Sequence, residues 1–288
     1  MKISRIGWTL WALVPVGVIA YHYGPGQAAY HTDLAAALVV RAQAAQEDAM
    51  ELQQVAYAAH LEAISARAAA FGQEDPALIN AAKVAGVKED DAYTIASKAW
   101  GTTATLLSEA QALMDENGGS NTQQIRIARA RAIVRTGDID TGATELEDLL
   151  EAMDSTDASN SALATEAREE LATAYYYAAR IMRLAGKPGG EWREISGRAR
   201  QNFRYLAEQA RADGASAETV QNHEKNGELV LDLEQSSVEG IFLKPKPKDS
   251  PGGNCNNPGT KPSKKPGKGK GDKPAKGAGM NGEIGDGW

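Results

Sequence analysis

The chain has 288 residues and a formal net charge of −7. Aromatic residues make up only 6% of it, while alanine is abundant, which suits closely packed helices and speaks against a sheet. A single cysteine, Cys255, excludes an intrachain disulfide.

Lys2 and Arg5 precede an uncharged, mostly apolar run from Ile6 to Tyr23. Trp8 and Trp11 stand at one end of the run and Tyr21 and Tyr23 at the other, as in the aromatic belts of a membrane span. The expected organisation is therefore a short cytoplasmic segment, 1–5, and a transmembrane anchor over 6–23. Placing Lys2 and Arg5 inside makes the rest extracytoplasmic, and periplasmic in a diderm bacterium. The competing reading of the same residues is a cleaved signal peptide, with "VIA" before Tyr21 as the cleavage site.

Beyond "GPG" at 24–26, apolar residues keep a helical period through a domain expected over 30–243. Leu34, Leu38, Ala42, Ala45, Ala49, Leu52, Ala56 and Ala59 predict one long helix, or two with a turn near Glu47–Asp48. "GQEDP" at 72–76 ends it. A less regular segment, 77–87, follows, and then a helix over 90–116 with Ile95, Ala99, Thr103, Leu106, Ala110 and Leu113 on one face. "NGGSN" at 117–121 reads as a loop. Further helices are expected over 122–136, 141–153, 162–185, 191–213 and from Ser216 to Leu233, with Asn160 or Ser161 as one N-cap and Ser216 as another. "SVEGIFLKPK" reads as an apolar strip docked on the final helix. Helices in strict succession through short loops indicate antiparallel hairpins.

Two tracts share a pattern. In 127–153, Ala130 is followed by the Gly137–Asp138 turn, by Gly142 or Ala143, and by Leu146, Leu149 and Leu150. In 174–210, Ala179, Gly186, Ala199, Phe203 and Leu206 take the corresponding places, with about eight extra residues after the turn. Small residues let paired helices approach, and the larger ones fill the next layer. This pattern resembles a tetratricopeptide repeat in degenerate form. The unit spacing, from Ala130 to Ala179, is longer than the family's, and its usual Trp, Tyr and Pro positions are mostly unmatched. The resemblance implies an all-α stack of helical hairpins that binds proteins or peptides and carries no chemistry. The hairpin-packing positions it marks are Ala130, Gly137, Gly142, Leu146, Ala179, Gly186, Ala199 and Phe203.

A search for chemistry finds no candidate catalytic, cofactor-binding or metal-binding residue. His22, His31, His60 and His223 follow no metal-ligand spacing, and no phosphate-binding glycine loop or nucleophile elbow occurs. Acidic pairs such as Glu169–Glu170 read as helix starts or solvated faces. The Arg-rich stretch 193–204 is interspersed with Glu191, Glu194 and Glu208, which favours i,i+4 ion pairs over nucleic acid. "YYY", 175–177, cannot share one helix face at 100° per residue. Tyr175 is expected at the intra-hairpin contact. Tyr176 and Tyr177, with Arg180, are expected toward a neighbour or solvent, hydroxyls wet, and are the candidate partner-contact residues.

From Lys244 to Trp288, ten lysines against four carboxylates give +6, which leaves −13 for the remainder. Gly, Pro and Lys dominate this segment, which is therefore expected to be disordered. The expected function is a non-enzymatic, membrane-anchored scaffold for protein partners in an envelope complex. The alternative is binding of a polyanion through the basic segment.

Overall fold

The computed structural model describes residues 5–22, 25–116, 122–156, 158 and 161–242. Among them the chain is all-α, with nine helices. They are α1 (Arg5–His22), α2 (Pro25–Ala70), α3 (Pro76–Glu116), α4 (Thr122–Arg135), α5 (Ile139–Asp154), α6 (Ala162–Leu184), α7 (Gly189–Ala212), α8 (Ala217–Gln235) and α9 (Val238–Phe242). Consecutive helices pack on one another from α2 to α8, α4 also touches α6, and α9 lies against α6. The short apolar strip thus docks on α6, where Ile241 is fully buried, rather than on the final long helix alone.

The first hairpin is built on a seven-residue repeat. Ala35, Ala42, Ala49, Ala56 and Ala63 are all buried along α2. On α3 two such rows are buried: Tyr93, Trp100 and Leu107, and Ala96, Thr103 and Ala110. Small residues on one helix receive the bulk of the other, and a strict seven-residue repeat implies a left-handed supercoil. The turn allowed for at Glu47–Asp48 does not form, since nothing there interrupts the helical pattern. Residues 77–87 likewise join 90–116 in one helix. At the expected break, Glu89 instead accepts from Arg67 Nη2 at 2.9 Å and lies 2.5 Å from His60 Nδ1, both on α2. Of the expected α3 face, Thr103 and Ala110 are buried and Ala99, Leu106 and Leu113 pack against the seam, while Ile95 is exposed. Pro76 opens α3, and Asp75 Oδ1 accepts from the Ala77 amide at 2.8 Å.

The two repeat-like tracts form hairpins α4–α5 and α6–α7, and Ala130, Gly142, Leu146, Ala179, Ala199 and Phe203 are all buried. Gly137 and Gly186 turn the chain at φ of +101° and +67°, conformations costly for other residues. The extra residues after Gly186 are helical: α7 begins at Gly189, which makes the second hairpin the longer. Caps fall where the sequence places them at Ser161 and Ser216, whose hydroxyls accept from the Ala164 and Thr219 amides at 3.1 Å each. Asn160 and the loop 117–121 lie outside the described residues.

Gly142 is the closest approach in the α4–α5 hairpin. A Cβ there would overlap Val134 Cγ2 and stand 2.8 Å from the Ala130 carbonyl oxygen. Gly142→Ala should therefore destabilise by about 1–3 kcal/mol, since the helices must part to admit it. Gly197→Ala, in α7 with open space around it, should stabilise by about 0.5–1 kcal/mol. Urea midpoints moving in opposite directions would bear this out; equal shifts would refute the packing argument.

The expected transmembrane anchor finds no support among the described residues. Residues 5–22 form a helix, yet among the described residues no helix is long and apolar enough to cross a membrane. Eighteen residues span about 27 Å at 1.5 Å each, short of a hydrocarbon core of about 30 Å. Arg5 and His22 also occupy the ends of the helix. What the structure shows is a short helix on which Trp11, Leu13, Val14, Val16, Val18, Ile19 and Tyr21 are all exposed.

Candidate functional site

A cleft of about 470 Å³ opens between α2, α3, α4 and the start of α6. Its walls are part apolar, from Val39 and Val40 on α2, Met114 on α3 and Ile125 on α4. Three amides, Gln43, Gln46 and Gln124, share the lining with Arg131 and Glu166. Helices α2, α4 and α6 are the first members of successive hairpins, and α3 closes the cleft with Leu107 and Met114.

Beneath it runs a ladder of buried charges. Arg131 and Arg135 stand one turn apart on α4, and Glu166 and Glu170 one turn apart on α6. Arg131 donates from Nη2 to Glu166 and from Nε to Glu170, each at 2.6 Å. Arg135 reaches Glu170 at 3.8 Å and lies 4.8 Å from the ring centroid of Trp100. Trp100 in turn donates to Gln53 Oε1 of α2 at 2.7 Å. Matched i,i+4 pairs on facing helices set the register of α4 on α6, and the Trp100 contact adds α3. Glu169 and Glu170, expected at a helix start or on a solvated face, are buried instead. The signal missed in the sequence is that "ARARAIVR" and "EAREE" carry complementary pairs at the same spacing.

The tyrosines continue this interior. Tyr175, Tyr176 and Tyr177 are all buried, and so is Arg180. The Tyr175 hydroxyl donates to Glu147 of α5, so it faces the preceding hairpin, and burial beside that carboxylate raises its pKa well above the ordinary phenol value. Arg180 Nη1 donates to the Tyr176 hydroxyl at 3.3 Å, and the rings of Tyr176 and Tyr177 meet at 61° with centroids 5.7 Å apart. Burial likewise raises the pKa of Tyr177, with the field of Tyr176 second. The expectation of wet hydroxyls is corrected: α6 is enclosed by α4, α5, α7 and α9, and no side of it at these residues faces water. Tyr176, Tyr177 and Arg180 therefore pack the stack and present no surface to a partner in this conformation.

Elsewhere, His60 joins Arg67 on Glu89 across the first hairpin, and His223 on α8 is buried, which pushes its pKa down to about 4. No group of three or more His, Cys, Asp or Glu among the described residues is placed to hold a metal ion. The arginines of α7 pair as their spacing suggests: Arg198 with Glu194 at 2.9 Å and Arg204 with Glu208 at 2.8 Å, while Arg200 reaches Glu234 at 2.6 Å. The class these features define is an all-α stack of packed helical hairpins. Comparison with protein-family models, with curated proteins and with solved structures found no match, so the tetratricopeptide likeness rests on the hairpin-packing residues alone.

Proposed function

We propose that the chain is a non-enzymatic scaffold that docks a protein segment in the cleft between α2, α4 and α6. The observation that carries this reading is the mixed lining. Aliphatic walls suit a side chain, and Gln43, Gln46 and Gln124 suit the donors and acceptors of a peptide backbone. The tetratricopeptide-like hairpins support the same reading, since such stacks bind peptides on their first helices.

Membrane attachment through α1 and export of the body belong to this proposal. In their favour, the described side chains from Trp11 to Tyr21 are uncharged and exposed, and a helix apolar on all sides has no stable place in water. A topology reporter fused after Tyr30 tests export; activity of a cytoplasm-specific reporter there would refute it. Polyanion binding is the second reading, favoured by the +6 charge of 244–288. It requires binding that is lost on deleting those residues and that weakens steeply with salt.

The cleft itself is tested by affinity capture from detergent extract with the full chain and with Val40→Arg. Val40 is 64% exposed, so the substitution leaves the fold intact, as circular dichroism would verify. A stoichiometric partner retained by the parent and lost by the variant is expected. No stable partner, or one indifferent to Val40→Arg, would overturn the proposal.

A further inference from the structure

One face of α3 is left open to solvent. The seam with α2 runs along Tyr93, Ala96 and Trp100. Helix α4 ends beside Ser97, whose hydroxyl donates to the Thr136 carbonyl at 2.8 Å, so the stretch of α3 before it is free of α4. On the side away from the seam, Val84, Val87 and Ile95 are each more than half exposed. The rest of the stack does not leave such bulk in water. Among the described residues of α4 to α9, the exposed large apolar side chains are Tyr205, Leu231 and Val238, each less than two-fifths exposed. Large apolar side chains gathered on one exposed face mark an interaction surface.

The charges set among the aliphatic residues say what covers it. Val84, Lys88, Asp91 and Ile95 follow one another at helical steps of four, three and four, so they form one stripe, and all are exposed. In chain order the stripe is apolar, cationic, anionic, apolar. From the other end it is apolar, anionic, cationic, apolar. An antiparallel copy of the same stripe therefore sets Ile95 on Val84 and Asp91 on Lys88, and the two-fold axis repeats both contacts. Val87 then meets Ala92, which is half-buried. A parallel copy would set Lys88 on Lys88 and Asp91 on Asp91. Lys88 already touches Glu62 of α2 at 2.5 Å, but its ammonium is more than half exposed and has further protons to donate.

We propose that two copies of the chain form a two-fold dimer in which their α3 helices pair antiparallel across Val84, Lys88, Asp91 and Ile95. The axis passes between Glu89 and Asp90, and residues 81–98 of each copy overlap along about 27 Å. The aliphatic contacts supply the attraction, and the crossed charges fix direction and register. Leu107 and Met114 of the cleft lie beyond the overlapping stretch. The pairing does not depend on what the cleft binds.

The test uses the full chain in neutral detergent. With the chain's one cysteine removed by Cys255→Ser, Val84→Cys and Ile95→Cys are made in separate proteins and mixed under mild oxidation. A disulfide joining the two variants is expected, since facing positions on paired helices come within its reach. Val84→Cys alone should give none, because antiparallel pairing holds the two copies of that position about 17 Å apart along the axis. Charge reversal reads the register. Asp91→Lys should halve the mass measured by sedimentation, and adding Lys88→Glu should restore it. The Glu62 pair lost with Lys88 is exposed and worth little. A monomeric parent, a disulfide formed by Val84→Cys alone, or a dimer indifferent to Asp91→Lys would each overturn the proposal.

Discussion

Replacing Arg131 with alanine should destabilise the chain by about 3–5 kcal/mol, the largest loss expected from any single substitution outside the apolar core. Arg131 satisfies two carboxylates at 2.6 Å, and the side chains of Arg131 and Glu170 are both only 6% exposed. Removing the cation takes this partner from two carboxylates one turn apart on α6, whose side chains are only 14% and 6% exposed. Replacing the ladder as a whole should be far milder, because a buried pair recovers little more than its own desolvation cost. The combined variant Arg131→Met, Arg135→Met, Glu166→Gln and Glu170→Gln should therefore recover most of the loss. Urea unfolding of both proteins measures this. Equal losses in the single and combined variants would show that Arg131 acts through packing rather than through its charge.

His223 should make the fold sensitive to mild acid. Its imidazole is 2% exposed, and burial lowers its pKa to about 4 from an ordinary 6.5. Above pH 6.5 the ring is neutral in both folded and unfolded chains, and stability is unaffected. Between 6.5 and 4 the unfolded chain takes up a proton that the folded chain refuses, so stability falls as pH falls. The loss attributable to this residue is about 2 kcal/mol at pH 5 and approaches about 3 kcal/mol near pH 4. His223→Gln should flatten the profile between pH 7 and 5, where few carboxylates titrate. An unchanged slope in that variant would assign the acid sensitivity to other groups.

Much of the architecture was legible in the sequence because it is written in periodicity and punctuation. Gly137, Gly186 and Gly214 mark turns where the backbone needs positive φ, and Ser161 and Ser216 mark helix starts through their hydroxyls. Ala130, Gly142, Ala179 and Ala199 were readable as contact positions because only small residues permit that approach. The cleft was not legible, since Val39, Gln43, Gln124 and Glu166 come from separate helices whose juxtaposition depends on tertiary packing. The ion ladder was hidden for a related reason. A glutamate near a helix start has a sufficient local explanation in the helix dipole, and only the facing arginines reveal a second one. The tyrosines were misplaced because helical geometry separates three adjacent side chains by angle but does not say how many neighbours surround the helix. At α6 they surround it on every side that matters.

The contacts of this chain also govern how it is made. From α2 to α8 each helix packs on the one that follows it in sequence. Such chains close few long loops before their contacts form, and they fold fast for their size. A hairpin emerging from its site of synthesis has its packing partner immediately behind it. The α2–α3 pair can zip along its alanine seam before α4 exists and offer α4 a finished surface. Helix α4 also touches α6, and α9 reaches back furthest: its place on α6 is filled only after α7 and α8 have been laid down. Docking of Ile241 is therefore the late step, and a pulse of hydrogen exchange should find α6 protected on one side before the other.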